Sequence, residues 1–138
     1  FIKHIPDIKS VNTETLEENA DSYIEAIAEM HTSGVQHSSL AIKNIYTSKG
    51  RIFFIDFERA RTLPDPLCLW RALRDMYSLF NSMGFPEFTG EWLKKYFSAR
   101  SLDIDPDKGL NILKTARKFA GRKFGHLDYI IARMVSVF

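Results

Sequence analysis

Two oxygen-bearing side chains, Asn44 and Asp56, bracket a pattern that reads as a β-hairpin. Asn44-Ile45-Tyr46-Thr47 forms one strand, Ser48-Lys49-Gly50 the turn, and Arg51-Ile52-Phe53-Phe54-Ile55 the return strand. Antiparallel pairing brings the carboxamide of Asn44 and the carboxylate of Asp56 to the same edge. Oxygen ligands on a rigid support are what a hard cation such as Mg²⁺ takes, so the pair is a candidate metal site. Each residue also has a plainer reading: an Asp after a strand is often a turn residue, and an Asn can spend its amide on nearby backbone. The polar loop 37–43 ahead of the hairpin holds His37, the hydroxyls of Ser38 and Ser39, and Lys43, which could meet a phosphate or stand in water. Behind the hairpin, Glu58 can take a second cation or pair with Arg59 or Arg61.

The order His37-x-x-Leu40-x-x-x-Asn44-Ile45, then Ile55-Asp56-Phe57-Glu58, resembles the catalytic loop and metal loop of protein-kinase-like phosphotransferases. It is most similar to the bacterial lipopolysaccharide kinases acting on Kdo or core heptose, whose loops read HxxGVxHxDLxxxNI and IDFxxxR. The resemblance extends over nearly the whole chain, and its specific part is the stretch 29–61. It implies an α+β, mainly α fold, the C-terminal lobe of a kinase-like protein, with helices around one short hairpin. Residues 1–138 then form a single lobe: hinge and linker 1–13, helix 14–34, catalytic and metal loops 35–61, helical subdomain 62–138. It also implies ATP and Mg²⁺ as cofactors, with Asn44 and Asp56 on the metal, Lys43 near phosphate, and the backbone of Phe1, Ile2 and Lys3 at the adenine. His37 would brace the loop against Phe57 and the strand end.

One position departs from the family. Where it carries the aspartate that accepts the proton of the acceptor hydroxyl, this chain has Ser39. A serine hydroxyl is no general base at neutral pH. The pattern is that of a pseudokinase or an inactivated variant; the alternative is an ATP-dependent kinase of a lipopolysaccharide core or other lipid-linked sugar. The glycine-rich phosphate cover, the strand lysine and its glutamate belong to an upstream lobe, and no GxGxxG or VAIK-like segment occurs in this sequence. The chain starts on Phe1, so it is expected to be part of something longer, with the N-terminal lobe as its missing partner. Without that lobe, Phe1, Ile2 and Phe57 would face water and favour self-association.

The remaining composition sets bounds. A chain of 138 residues, 45% of them hydrophobic, with eleven Phe and five Tyr, supports one packed core. A net charge of +2 gives no case for nucleic acid. The single cysteine, Cys68, excludes an internal disulfide, suits a reducing cytoplasm, and is expected to be buried. No apolar run approaches the ~20 residues of a membrane span, and no signal peptide is visible. The basic run Lys114, Arg117, Lys118, Arg122 and Lys123 would suit an acidic glycolipid or the inner-membrane surface, or is an ordinary solvated helix face.

Apolar spacing supplies the elements that hold the loop. Thr15 and Glu18 have capping-box spacing for a first helix; Leu16, Ala20, Tyr23, Ile24, Ile27 and Met30 mark its core face, His31 caps its end and Gly34 stops it. Asp65 as N-cap with Pro66 opens a helix over 67–83 whose buried stripe is Trp70, Leu73, Tyr77, Phe80 and Met83. Thr89 caps a helix carrying Trp92, Leu93, Tyr96 and Phe97. Asp105-Pro106 starts another over 107–120, and a last one from His126 carries Leu127, Ile130, Ile131, Met134, Val135 and Phe138.

Overall fold

Asn12 begins the ordered helical structure: its side-chain oxygen accepts the Thr15 amide and hydroxyl, both at 2.8 Å. The cap is therefore Asn12, three residues before the Thr15 of the expected capping box. The computed structural model describes residues 7–119 and 126–136. Helix α1 (Thr13–Glu18) and helix α2 (Ala20–Thr32) replace the single expected helix. Asn19 separates them at φ −116°, ψ 33°, outside the helical region, and its amide closes on Thr15 O.

The segment expected as linker contains a strand, β1 (Lys9–Ser10), which pairs antiparallel with β3 (Ile45–Ser48). On its other side β3 pairs with β4 (Arg51–Phe54), with Ser48 opposite Arg51. Lys49 and Gly50 turn this hairpin with φ of 49° and 78°, the two left-handed residues that a tight hairpin turn needs to match strand twist. A separate ribbon joins β2 (Val35–Gln36) to β5 (Arg61–Thr62), in addition to the one expected hairpin. The ribbon closes the loops between residues 36 and 61 at their base. Gly34 makes that closure possible: its φ is +87°, its carbonyl accepts the Leu63 amide at 2.8 Å, and a Cβ there would collide with the Leu63 carbonyl oxygen.

Helix α3 (Leu69–Ser82) is the centre of the helical part, burying Ala72, Leu73, Asp75, Met76, Tyr77, Leu79 and Phe80. It starts later than expected. The Leu67 amide is taken by His31 O at 2.9 Å and the Leu67 side chain is buried, which keeps Asp65 and Pro66 in the loop. Cys68 therefore falls at the N-cap and is exposed, where burial was expected. Trp70 and Met83 are only partly buried. Helix α4 (Thr89–Ala99) has Phe88 at its N-cap; Thr89, expected as the cap, instead donates its hydroxyl to Pro86 O at 2.7 Å. Helix α5 (Pro106–Phe119) does start as expected, with the Asp105 carboxylate accepting the Asp107 amide at 3.0 Å. Helix α6 (His126–Val135) packs on α3 and α5, while α4 lies against α2 and α5. Phe80 and Trp92 meet edge-on in the core. Each such buried large side chain contributes about 1.5–3 kcal/mol. Among the described residues no helix is long and apolar enough to cross a membrane.

Candidate active site

The loop between β2 and β3 is fastened to helix α3 at the start of the loop by one carboxylate, and further along by Ser82 Oγ, which accepts the Ile42 amide at 2.9 Å. Asp75, fully buried on α3, accepts the His37 amide on Oδ2 and the Ser38 amide on Oδ1, both at 2.9 Å. Its Oδ2 also accepts from His31 Nε2 at 2.8 Å. His31 Nδ1 lies 2.6 Å from the Tyr96 hydroxyl, and that oxygen accepts from Arg100 Nη1 at 3.0 Å. A carboxylate only accepts, so His31 Nε2 donates to Asp75, and a guanidinium only donates, so Arg100 donates to Tyr96. Burial pushes the Tyr96 phenol up to about 12, against the opposing pull of Arg100. His31 is thus a buried link, where a helix-end cap was expected.

His37 is fully buried beneath the loop. Its Nε2 donates to Ile55 O at 2.7 Å, its Nδ1 accepts the Ser39 amide at 3.1 Å, and its ring lies 4.6 Å from that of Phe57. Both ring nitrogens are occupied, which leaves none to take a proton from a substrate. Ser38 is held at φ 70° and Asp56 at φ 65°, a region costing a non-glycine residue roughly 1–2 kcal/mol. Both are held by neighbouring bonds: Ser38 by Asp75, Asp56 through its neighbour Ile55, whose amide reaches Asn44 O at 2.9 Å.

Ser39, Lys43, Asn44 and Asp56 all line one cleft of about 440 Å³, together with Arg59 and Ser78. Asn44 Nδ2 donates to Ser39 O at 2.8 Å, so the amide does bond the loop backbone. That bond commits the nitrogen and leaves the amide oxygen for another partner. The Asp56 carboxylate is exposed and forms no ion pair among the described residues. One carboxylate and one amide oxygen fit Mg²⁺, which is usually held by one or two protein oxygens with phosphates and water completing the shell. No group of three or more His, Cys, Asp or Glu that could hold a metal occurs among the described residues.

The other expected residues are distributed differently. Phe1, Ile2, Lys3 and Arg122 lie outside the described residues. Glu58 makes no ion pair with Arg59 or Arg61. Lys114, Arg117 and Lys118 are exposed on α5 and none lines the cleft, and Arg117 lies over the Phe85 ring at 4.8 Å. Asp75 was missed by sequence reasoning, although an acid between Ala72, Leu73, Met76 and Leu79 sits in a stripe where charge is rare unless paired. Arg59 and Arg74, which also line the cleft, were likewise not singled out for it.

A mainly helical lobe with a braced loop and a hairpin-borne acid is the C-terminal lobe of a kinase-like fold. A solved structure described as WaaP in complex with acyl carrier protein shares that fold, with a TM-score of 0.51 at 16% identity over 98% of this chain. The present chain spans 59% of that structure's chain. Residues 9–96 match the model of the lipopolysaccharide kinase (Kdo/WaaP) family, and the chain belongs to that family. No curated protein matches it.

Proposed function

We propose that the chain is the metal-binding lobe of a lipopolysaccharide-kinase-family protein that retains nucleotide contact but has lost its proton acceptor, a pseudokinase. The observation that carries this reading is that Asn44 and Asp56 line one cleft with Ser39, the residue two after the loop histidine. Asn44 would offer its amide oxygen and Asp56 its carboxylate to Mg²⁺, while Lys43 approaches a phosphate. When bound, Mg²⁺ supplies charge neutralisation on the nucleotide phosphates. Ser39 can hydrogen-bond an acceptor hydroxyl but cannot remove its proton at neutral pH. His37 cannot substitute, because Ile55 O and the Ser39 amide occupy both its nitrogens. Asp56 is the one carboxylate among the described residues lining the cleft, and the reading assigns it to the metal. The adenine and the outer phosphates would be covered by the portion of the protein corresponding to the rest of the WaaP chain.

The second reading is an ATP-dependent sugar kinase in which Ser39 replaces a functional aspartate, favoured by the match of residues 9–96 to the lipopolysaccharide kinase family. Ser39→Asp in the full-length protein separates the two. On the pseudokinase reading the wild type transfers no phosphoryl group to a lipid-linked sugar at the ordinary 1–100 s⁻¹. On the sugar-kinase reading the substitution raises turnover by about 10²–10⁴-fold, the usual contribution of a positioned base.

A further inference from the structure

Beside the Asn44–Asp56 cleft, sharing Ser38, Arg59 and Arg74 with it, is a second cleft of about 470 Å³. Its walls bring together four guanidinium groups, Arg59, Arg61, Arg71 and Arg74, and one carboxylate, Asp128. Asp128 is committed to Arg74 at 2.6 Å. Arg71 is set in place from two sides, donating to the Gln36 amide oxygen at 2.9 Å and lying 4.6 Å over the Trp70 ring. Gln36 in turn pairs with Arg61 across the β2–β5 ribbon, so this ribbon and α3 fix the two sides of the cleft. The side chains of Arg59 and Arg61 are exposed and make no hydrogen bond or ion pair among the described residues. Four cations against one anion, two of them oriented by side-chain contacts and two free, form a receptor for an oxyanion, because planar guanidinium forks match phosphate and carboxylate.

We infer that this arginine cleft is an anion subsite that receives a phosphate or carboxylate substituent of the acceptor molecule. The anion site stands on the arginine cluster alone; assigning its ligand to the acceptor rests on the phosphotransferase-fold reading above. The subsite lies next to the cleft where Asn44 and Asp56 would hold the nucleotide, so a sugar anchored by its charged substituent could present a hydroxyl to Ser39.

The test is equilibrium binding to the full-length protein by calorimetry at constant ionic strength, without nucleotide or Mg²⁺. Three probes are titrated: a sugar monophosphate such as glucose 6-phosphate, glucose itself, and inorganic phosphate. The sugar phosphate is expected to saturate, glucose to show no binding, and inorganic phosphate to bind more weakly and competitively. The double variant Arg59→Gln/Arg61→Gln should weaken the sugar phosphate by roughly tenfold or more, the value of one lost charge-assisted hydrogen bond. Lys114→Gln/Lys118→Gln, on α5, should leave it unchanged. Absence of saturable binding, or equal weakening by both double variants, would overturn the subsite. Equal affinity for inorganic phosphate and sugar phosphate would overturn its assignment to the acceptor. Because metal and nucleotide are absent, loss of the Asn44–Asp56 reading would not alter these outcomes, and their failure would leave that reading standing.

Discussion

A carboxylate removed from water must find donors, and Asp75 finds three: the amides of His37 and Ser38 and the Nε2 proton of His31. The Asp75→Ala variant would leave the His37 amide and His31 Nε2 buried, and the half-buried Ser38 amide, without this partner, at about 1–3 kcal/mol for each buried donor left unsatisfied. Denaturant unfolding followed by circular dichroism should show that loss, while a change within 0.5 kcal/mol would mean the loop is fastened elsewhere. Tyr96 adds a pH dependence. Its phenol ionises near 10 when unfolded and is pushed up to about 12 by burial in the folded chain. The folded state thus holds the proton more tightly. This contribution is complete below pH 10 and is lost as pH rises through about 12, on the order of 2 kcal/mol. Alkaline unfolding curves should lose this step in Tyr96→Phe.

At the scale of elements, the short β2–β5 ribbon matters more than its two pairs of residues suggest, because it gathers the start of the loop carrying His37 and the end of the segment carrying Asp56 at one place. Gly34 permits it. Gly34→Ala would add the left-handed strain of φ +87° to a collision with backbone at Leu63 and Asp65, neither of which can swing aside. A destabilisation of at least about 2 kcal/mol is expected. Gly50→Ala is the comparison: its φ is +78° but open space surrounds it, so only the backbone term of about 1 kcal/mol should appear in the same melt. Equal losses at the two positions would show that the ribbon is not tightly closed at Gly34.

Over the whole molecule, what could be read from the sequence was what lies close together in it. The hairpin, the turn at Lys49-Gly50 and the candidates Ser39, Lys43, Asn44 and Asp56 fall within one stretch of chain, and they line one cleft. Helix α5 was equally plain, because Asp105-Pro106 is a local signal. Asp65-Pro66 is the same signal and failed, since the Leu67 amide bonds His31, far back in the chain. The Asp75–His31 link, the β1 strand and the arginine cleft were hidden for a similar reason: each joins segments that only tertiary packing brings together. His31 looked like a helix cap because its partners, Asp75 and Tyr96, are on α3 and α4.

Asn44 and Asp56 are proposed to act together on one divalent ion carrying a nucleotide. Their joint action is tested most directly by calorimetric titration of ATP with Mg²⁺ into the full-length protein and into its Asn44→Ala and Asp56→Ala variants. Saturable, Mg²⁺-dependent binding in the wild type that weakens by roughly tenfold or more in each variant is the predicted result. Affinity unchanged in both variants would contradict it.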